Sequence, residues 1–165
     1  MIRKPLLFTT ALMMAAASAF AARDIHGQIG QRIEKVRTTA YTYGAAENGS
    51  HPTSNAIGKP LKAGKTSSAA ADWSRWPLGT RFRVVETGRE YIVDDIGSAM
   101  VGTNTIDLFK PNNRAMNRWG VRHVTIEILE WGSPEESLEI LMERRKFRHV
   151  REMVSKLLVQ RATSG

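Results

Sequence analysis

Between residues 36 and 131 apolar and polar positions alternate in short runs, the period of strands with one buried face. The runs "VRTTAYTY" (36–43), "RFRVVE" (81–86), "EYIVDD" (90–95), "NTIDLF" (104–109) and "VTIEILEW" (124–131) are rich in β-branched and aromatic residues, and turn-formers such as "ENGSHPTSN", "WPLGT" and "ETGRE" separate them. One short helix is expected at "PNNRAMNRWG", opened by Pro111 and two asparagines and closed by Gly120. After Trp131 the period changes. Ser133 reads as an N-cap, Pro134 as the first helical residue and Glu136 as the partner completing a capping box. Leu138, Leu141, Met142, Val150, Met153, Val154, Leu157 and Leu158 then recur at mostly helical spacing, around a basic stretch from Arg144 to Arg151. The pattern predicts a polar linker over 22–35, a mainly β domain over 36–132, and over 133–165 a basic helical tail of one or two helices whose removal should leave the β domain folded.

The first 21 residues follow a different rule. Arg3 and Lys4 precede an apolar run from Leu6 to about Ala17, and Ala19, Phe20 and Ala21 end it in small-x-small form. This is the layout of a secretory signal peptide, with cleavage expected after Ala21. The run is shorter than the roughly 20 apolar residues that span a bilayer, so no transmembrane segment is expected in the mature chain. Export to the periplasm or the extracellular side follows as an expectation. At 165 residues the chain has room for one domain and an appendage.

Charge and cysteine usage then narrow the classes. The formal charge of +8 falls by two, to +6, when Arg3 and Lys4 leave, because no acidic residue lies between Met1 and Ala21. In an exported chain such an excess points away from nucleic acid and toward wall peptides, wall polymers or lipid headgroups, with the basic tail as the contact for an anionic envelope partner. The absence of cysteine excludes disulfides, a lipidated cysteine, thiolate metal sites and a cysteine nucleophile.

Several familiar motifs fail on spacing. "GKPLKAGKTSS" puts five residues between Gly58 and Gly64 where a phosphate loop needs four, and Pro60 sits inside it. His26, His51, His123 and His149 show no ligand spacing, and "DDIGSAMVGTNTID" lacks the alternating oxygens and closing Glu of a calcium loop. No Gly-x-Ser-x-Gly elbow is present. What remains is the carboxylate group in "VDDIGSAMVGTNTIDLF", Asp94, Asp95 and Asp107. With Ile106 and Leu108 turned to the core, Asp107 faces the other side of its strand, beside an aromatic ring. Burial near a second carboxylate would keep one proton in place at neutral pH, as a glycoside-cleaving acid requires. Turn formation by Asp95 and an exposed edge position for Asp107 explain the same spacing, so the residues alone leave both readings open.

The order of segments adds a resemblance. "TTAYTYGAAENG", "GKPLKAGKTSSAAADWSRWPLGTRFRV", "YIVDDIGSAMVGTNTIDLF" and "RAMNRWGVRHVTIEIL" resemble in sequence the three-aspartate (3D) domain of bacterial wall-associated proteins, from Thr38 to Leu129. That family occurs in membrane-bound lytic transglycosylase A and in secreted wall proteins. The resemblance implies a six-stranded double-psi β-barrel, related to barwin-like and expansin barrels. It places the family aspartates at Asp72, Asp95 and Asp107, with Asp94 accessory. It also implies Asp107 as general acid/base, Asp95 as its electrostatic support, Thr39 and Tyr41 as lining of the sugar groove, and peptidoglycan or a related polysaccharide as partner; Asp72 reads as structural, fixing the turn before Pro77 and Gly79, and no cofactor or metal is expected. Trp73, Trp76, Trp119 and Trp131 are candidate sugar platforms or core residues. Two other readings fit the resemblance: a non-catalytic, expansin-type glycan-binding or wall-loosening module, and a tether that uses the barrel as a platform for the tail.

Overall fold

The computed structural model of the chain describes residues 28–44 and 53–164; the expected signal peptide and residues 22–27 of the expected linker lie outside the described residues. The elements are β1 (Arg32–Tyr41), β2 (Thr66–Ala71), β3 (Arg81–Val84), β4 (Arg89–Ile96), a 3₁₀ turn (Ser98–Met100), β5 (Thr105–Phe109), α1 (Asn113–Trp119), β6 (Arg122–Glu130), α2 (Pro134–Met142) and α3 (Arg148–Ser164). The six strands close in the order β1-β5-β2-β4-β3-β6. Two parallel pairs, β1/β5 and β2/β4, and four antiparallel pairs complete the ring, a double-psi β-barrel with no free sheet edge.

Four of the strands follow their apolar period directly. Ile106, Leu108, Val124, Ile126, Ile128, Phe82, Val84, Tyr91 and Val93 fill the barrel, with their polar neighbours turned outward. β1 starts at Arg32, four residues ahead of the expected Val36, because a bulge absorbs an extra residue between Ile33 and Val36 and Lys35 takes a φ of 54° there. β2, "TSSAAA", carries no β-branched residue after Thr66 and is absent from the alternation. Its place explains its composition. It lies between β4 and β5 with Ser67 through Ala71 all buried, and only small side chains fit a strand covered on both faces. α1 matches its sequence signals: Asn112 caps it by accepting from the Ala115 amide at 2.9 Å, and Gly120, at φ 61°, ends it.

The tail shares the core of the barrel. Leu141 on α2 and Val150, Met153, Val154 and Leu157 on α3 belong to the same buried cluster as Trp73, Trp76 and Val93. Each contributes about 1.5–3 kcal/mol of gross burial. Ser133 does cap α2, accepting from the Glu136 amide at 3.0 Å. Its own amide, however, donates to the Leu78 carbonyl at 3.0 Å, so the donor that a capping-box Glu136 would serve is bound to the barrel instead. Ser137 Oγ accepts from the Leu78 amide at 2.8 Å, and Gly132 donates to Thr80 Oγ1 at 3.1 Å. A Cβ at Gly132 would collide with the backbone carbonyls of Leu78 and Pro77, so this junction requires glycine.

Candidate active-site groove

Four adjacent strands set one row of residues on a common face. Thr39 on β1 pairs with Asp107 on β5, Asp107 with Ala70 on β2, and Ala70 with Asp95 on β4. Laterally paired residues project to the same side of a sheet. The methyl of Ala70 therefore stands between two carboxyl groups whose Cα atoms are two strand spacings apart, about 10 Å.

A bulge decides which aspartate joins the row. Ala69 pairs with Val93 and Ala70 with Asp95, so Asp94 is the extra residue of β4. Without the bulge the alternation would put Asp94 beside Ala70 and turn Asp95 inward. Instead Asp94 is buried, with Oδ2 accepting from Ser68 Oγ at 3.0 Å; burial pushes its pKa up, and the Ser68 hydrogen bond opposes that shift.

The two groove carboxyls differ in their surroundings. Asp95 Oδ1 accepts from the Ile96 amide at 2.9 Å and Oδ2 from the Tyr41 hydroxyl at 3.1 Å, while Trp73 Nε1 fixes its backbone carbonyl at 2.9 Å. Burial outweighs these hydrogen bonds and, with the Asp94 carboxylate close by, raises the Asp95 pKa to about 6. Burial and the charge of Asp95 push the Tyr41 hydroxyl in the same direction, so it stays a donor. Asp107 Oδ1 accepts from Thr39 Oγ1 at 2.6 Å. Each carboxyl thus has one β1 hydroxyl as partner. Gly97 follows this pair in a tight turn, where a Cβ would come within 2.7 Å of Met100 Cγ.

Asp95, Asp107, Tyr41 and Ala70 line a cleft of about 730 Å³. Its other wall comes from the tail: Arg144 and Phe147 between the two helices, His149 and Val150 at the start of α3. The sequence reading missed these wall residues, because a basic helical stretch carries no sign of which face it will cover. The Phe147 ring is half exposed and stacks on His149 at 5.7 Å between centroids; burial lowers the His149 pKa.

The other expected residues lie elsewhere. None of the four tryptophans lines the cleft. Trp73 and Trp76 are in the core, Trp131 stacks on Trp76 at 6.0 Å, and Trp119 is buried with its Nε1 donating to Thr38 Oγ1 at 3.2 Å. Asp72 is fully enclosed. Its Oδ1 accepts from the Ser74 amide at 2.9 Å and from Ser74 Oγ, and its Oδ2 accepts from the Gly102 amide at 2.8 Å and from Lys156 Nζ at 3.3 Å. It ties its own turn, the β4–β5 loop and α3 together. Among the described residues no three His, Cys, Asp or Glu side chains gather as a metal site.

Residues 67–130, from within β2 to the end of β6, match the family model of the 3D domain. The chain carries a 3D domain. The matched segment includes Asp72, Asp95 and Asp107, while β1, which supplies Thr39 and Tyr41, and the tail lie outside it. No curated protein matches the chain. The 3D domain is associated with peptidoglycan-related, lytic transglycosylase-like proteins, which makes peptidoglycan the substrate class this domain suggests. No helix among the described residues is long and apolar enough to cross a membrane.

Proposed function

We propose that this 3D-domain protein is exported and cleaves the β-1,4 bond between N-acetylmuramic acid and N-acetylglucosamine in peptidoglycan strands. The observation that carries this reading is the row Asp107–Ala70–Asp95, two carboxyls with separate hydroxyl partners facing one cleft. Asp107 gives its proton to the bridging oxygen as the bond from that oxygen to the muramoyl C1 breaks. The muramoyl 6-hydroxyl oxygen then bonds to C1, and the Asp107 carboxylate takes the hydroxyl proton. No water is consumed, the ring closes to an anhydro sugar, and Asp107 regains its starting form. Asp95, as carboxylate, supports the oxocarbenium-like charge at C1. Arg144 on the far wall offers a cation to acidic substituents of the wall polymer, which is also how the basic tail would meet an anionic envelope partner.

Mass spectrometry of soluble products released from isolated peptidoglycan tests the reading. Anhydro-muropeptides that disappear with Asp107→Asn support it; products carrying an added water overturn the ring-closing route. Binding to wall without any product, weakened by Asp107→Asn, would establish the expansin-type alternative. The pH profile separates the two carboxyls. With Asp95 acting as carboxylate the rate climbs as pH rises through about 6, whereas a rate that falls above that pH would make Asp95 the proton donor.

A further inference from the structure

A second cavity, of about 250 Å³, lies at the opposite end of β4 from the groove and shares no lining residue with it. Arg89, at the start of β4, is six residues from Asp95, a distance of about 20 Å along a strand. The cavity is lined by Thr87, Arg89, Lys110, Ala115, Arg118, Trp119 and Arg122. Four of these are cations, and none is acidic.

Lys110 makes the cluster unusual. Its side chain belongs to a residue only 5% exposed, and its Nζ donates to the Tyr91 hydroxyl at 2.6 Å and sits 4.1 Å from the centroid of the Trp119 ring. Arg122 covers the same ring at 4.5 Å, while its Nε and one Nη donate to the Trp119 and Arg118 carbonyls at the end of α1. Among the described residues no ion pair engages Lys110, Arg89, Arg118 or Arg122. A buried ammonium without a counter-charge is costly, and surrounding it with three guanidinium groups adds to that cost. Burial, Arg89 and Arg122 accordingly lower the Lys110 pKa to about 8. At neutral pH the ammonium is still largely charged. Stability alone does not ask for this arrangement; a bound anion does.

We infer that this cavity is a phosphate-binding site, in which Lys110 supplies the buried charge and Arg89, Arg118 and Arg122 supply guanidinium donors at the rim. Phosphate fits better than carboxylate because it offers more acceptor oxygens and, as a monoester, up to two charges to four converging cations. Trp119, whose ring lies under Lys110 and Arg122, gives the cavity an aromatic wall, and a volume of about 250 Å³ leaves room for the anion and one attached group.

Calorimetry and thermal unfolding of the full chain at fixed ionic strength test the site with inorganic phosphate, acetate and chloride. The expected result is saturable binding of phosphate with a rise in Tm that acetate and chloride do not reproduce. Lys110→Met should weaken phosphate binding at least tenfold, and Arg118→Gln, at an exposed position on α1, severalfold with the fold unchanged. Equal shifts from all three anions, or wild-type phosphate affinity in Arg118→Gln together with Arg89→Gln, would overturn the inference even if Lys110→Met failed to fold. Glycerol 3-phosphate and glycerophosphoglycerol distinguish the source. Preference for the first assigns the site to free monoesters, and preference for the second to the phosphodiesters of lipid headgroups or wall polymers. Binding of neither ester alongside inorganic phosphate would overturn a biological phosphate ligand.

Discussion

Asp72 and Asp95 both lie in the segment that matches the 3D domain, yet the barrel treats them in opposite ways. Asp72 is 2% exposed and accepts four hydrogen bonds, from Ser74 twice, Gly102 and Lys156. Asp95 is only partly covered, accepts from Tyr41, from its own neighbour Ile96 and from the Ala56 backbone, and opens on a cleft shared with Asp107. A carboxylate whose lone pairs are all engaged is a structural anchor with nothing left to offer a ligand. A carboxyl at the open edge of a cleft, with its pKa raised by burial to about 6, can still exchange a proton. The same residue type is thus sealed as an anchor at one site and left accessible to a ligand at the other, and burial against an open cleft makes the difference.

Removing the cover over the anchor should have the largest effect. Deleting residues 134–165 strips Lys156 from Asp72, Met153 from Trp73 and Ser137 from Leu78, so the sharp cooperative transition in thermal unfolding should be lost; a barrel that still melts cooperatively would make the tail dispensable. Next comes Asp107→Asn. It should leave the melting temperature close to wild type but lower release of anhydro-muropeptides about a hundred- to ten-thousand-fold, the usual worth of a positioned acid. Full activity in a folded variant would remove Asp107 from the chemistry.

Asp72→Asn should reverse that division, costing about 1–3 kcal/mol in denaturant unfolding through the mismatch with its donors, with the activity of the folded fraction retained. A pH series then probes Asp95 directly. Its folded pKa of about 6 lies above the ordinary aspartate value of 3.8, so between these values the folded state holds a proton that the unfolded chain has lost. The stability from this group is present below about pH 4 and is lost as pH rises through about 6, by roughly 3 kcal/mol at most. Asp95→Asn should flatten this part of the curve, and an unchanged slope would place the titration elsewhere. The smallest effect is expected for Lys156→Met. The ammonium is half exposed, such pairs contribute about 0–1 kcal/mol, and a larger loss in denaturant unfolding would show that Asp72 depends on that charge.

Local chemistry was enough to read much of this molecule from its residues. The alternation of "RFRV", "EYIVDD", "TIDLF" and "VTIEILE" reflects strands with one face in the barrel, and Asn112, Gly120, Ser133 and Pro134 mark helix ends through backbone groups within four residues of them. The segment order that carries the three aspartates is likewise a property of the sequence. β2 escaped because its serines and alanines answer to crowding by β4 and β5 rather than to any intrinsic strand preference. That Asp95 rather than Asp94 faces the groove was decided by one bulge in the pairing of β2 with β4, a registration between segments more than 20 residues apart. The wall of Arg144, Phe147 and His149, and the burial of Lys110 among arginines, likewise exist only once distant elements pack. Periodicity and capping are fixed by neighbours along the chain, whereas register, burial and the convergence of charges are fixed by neighbours in space.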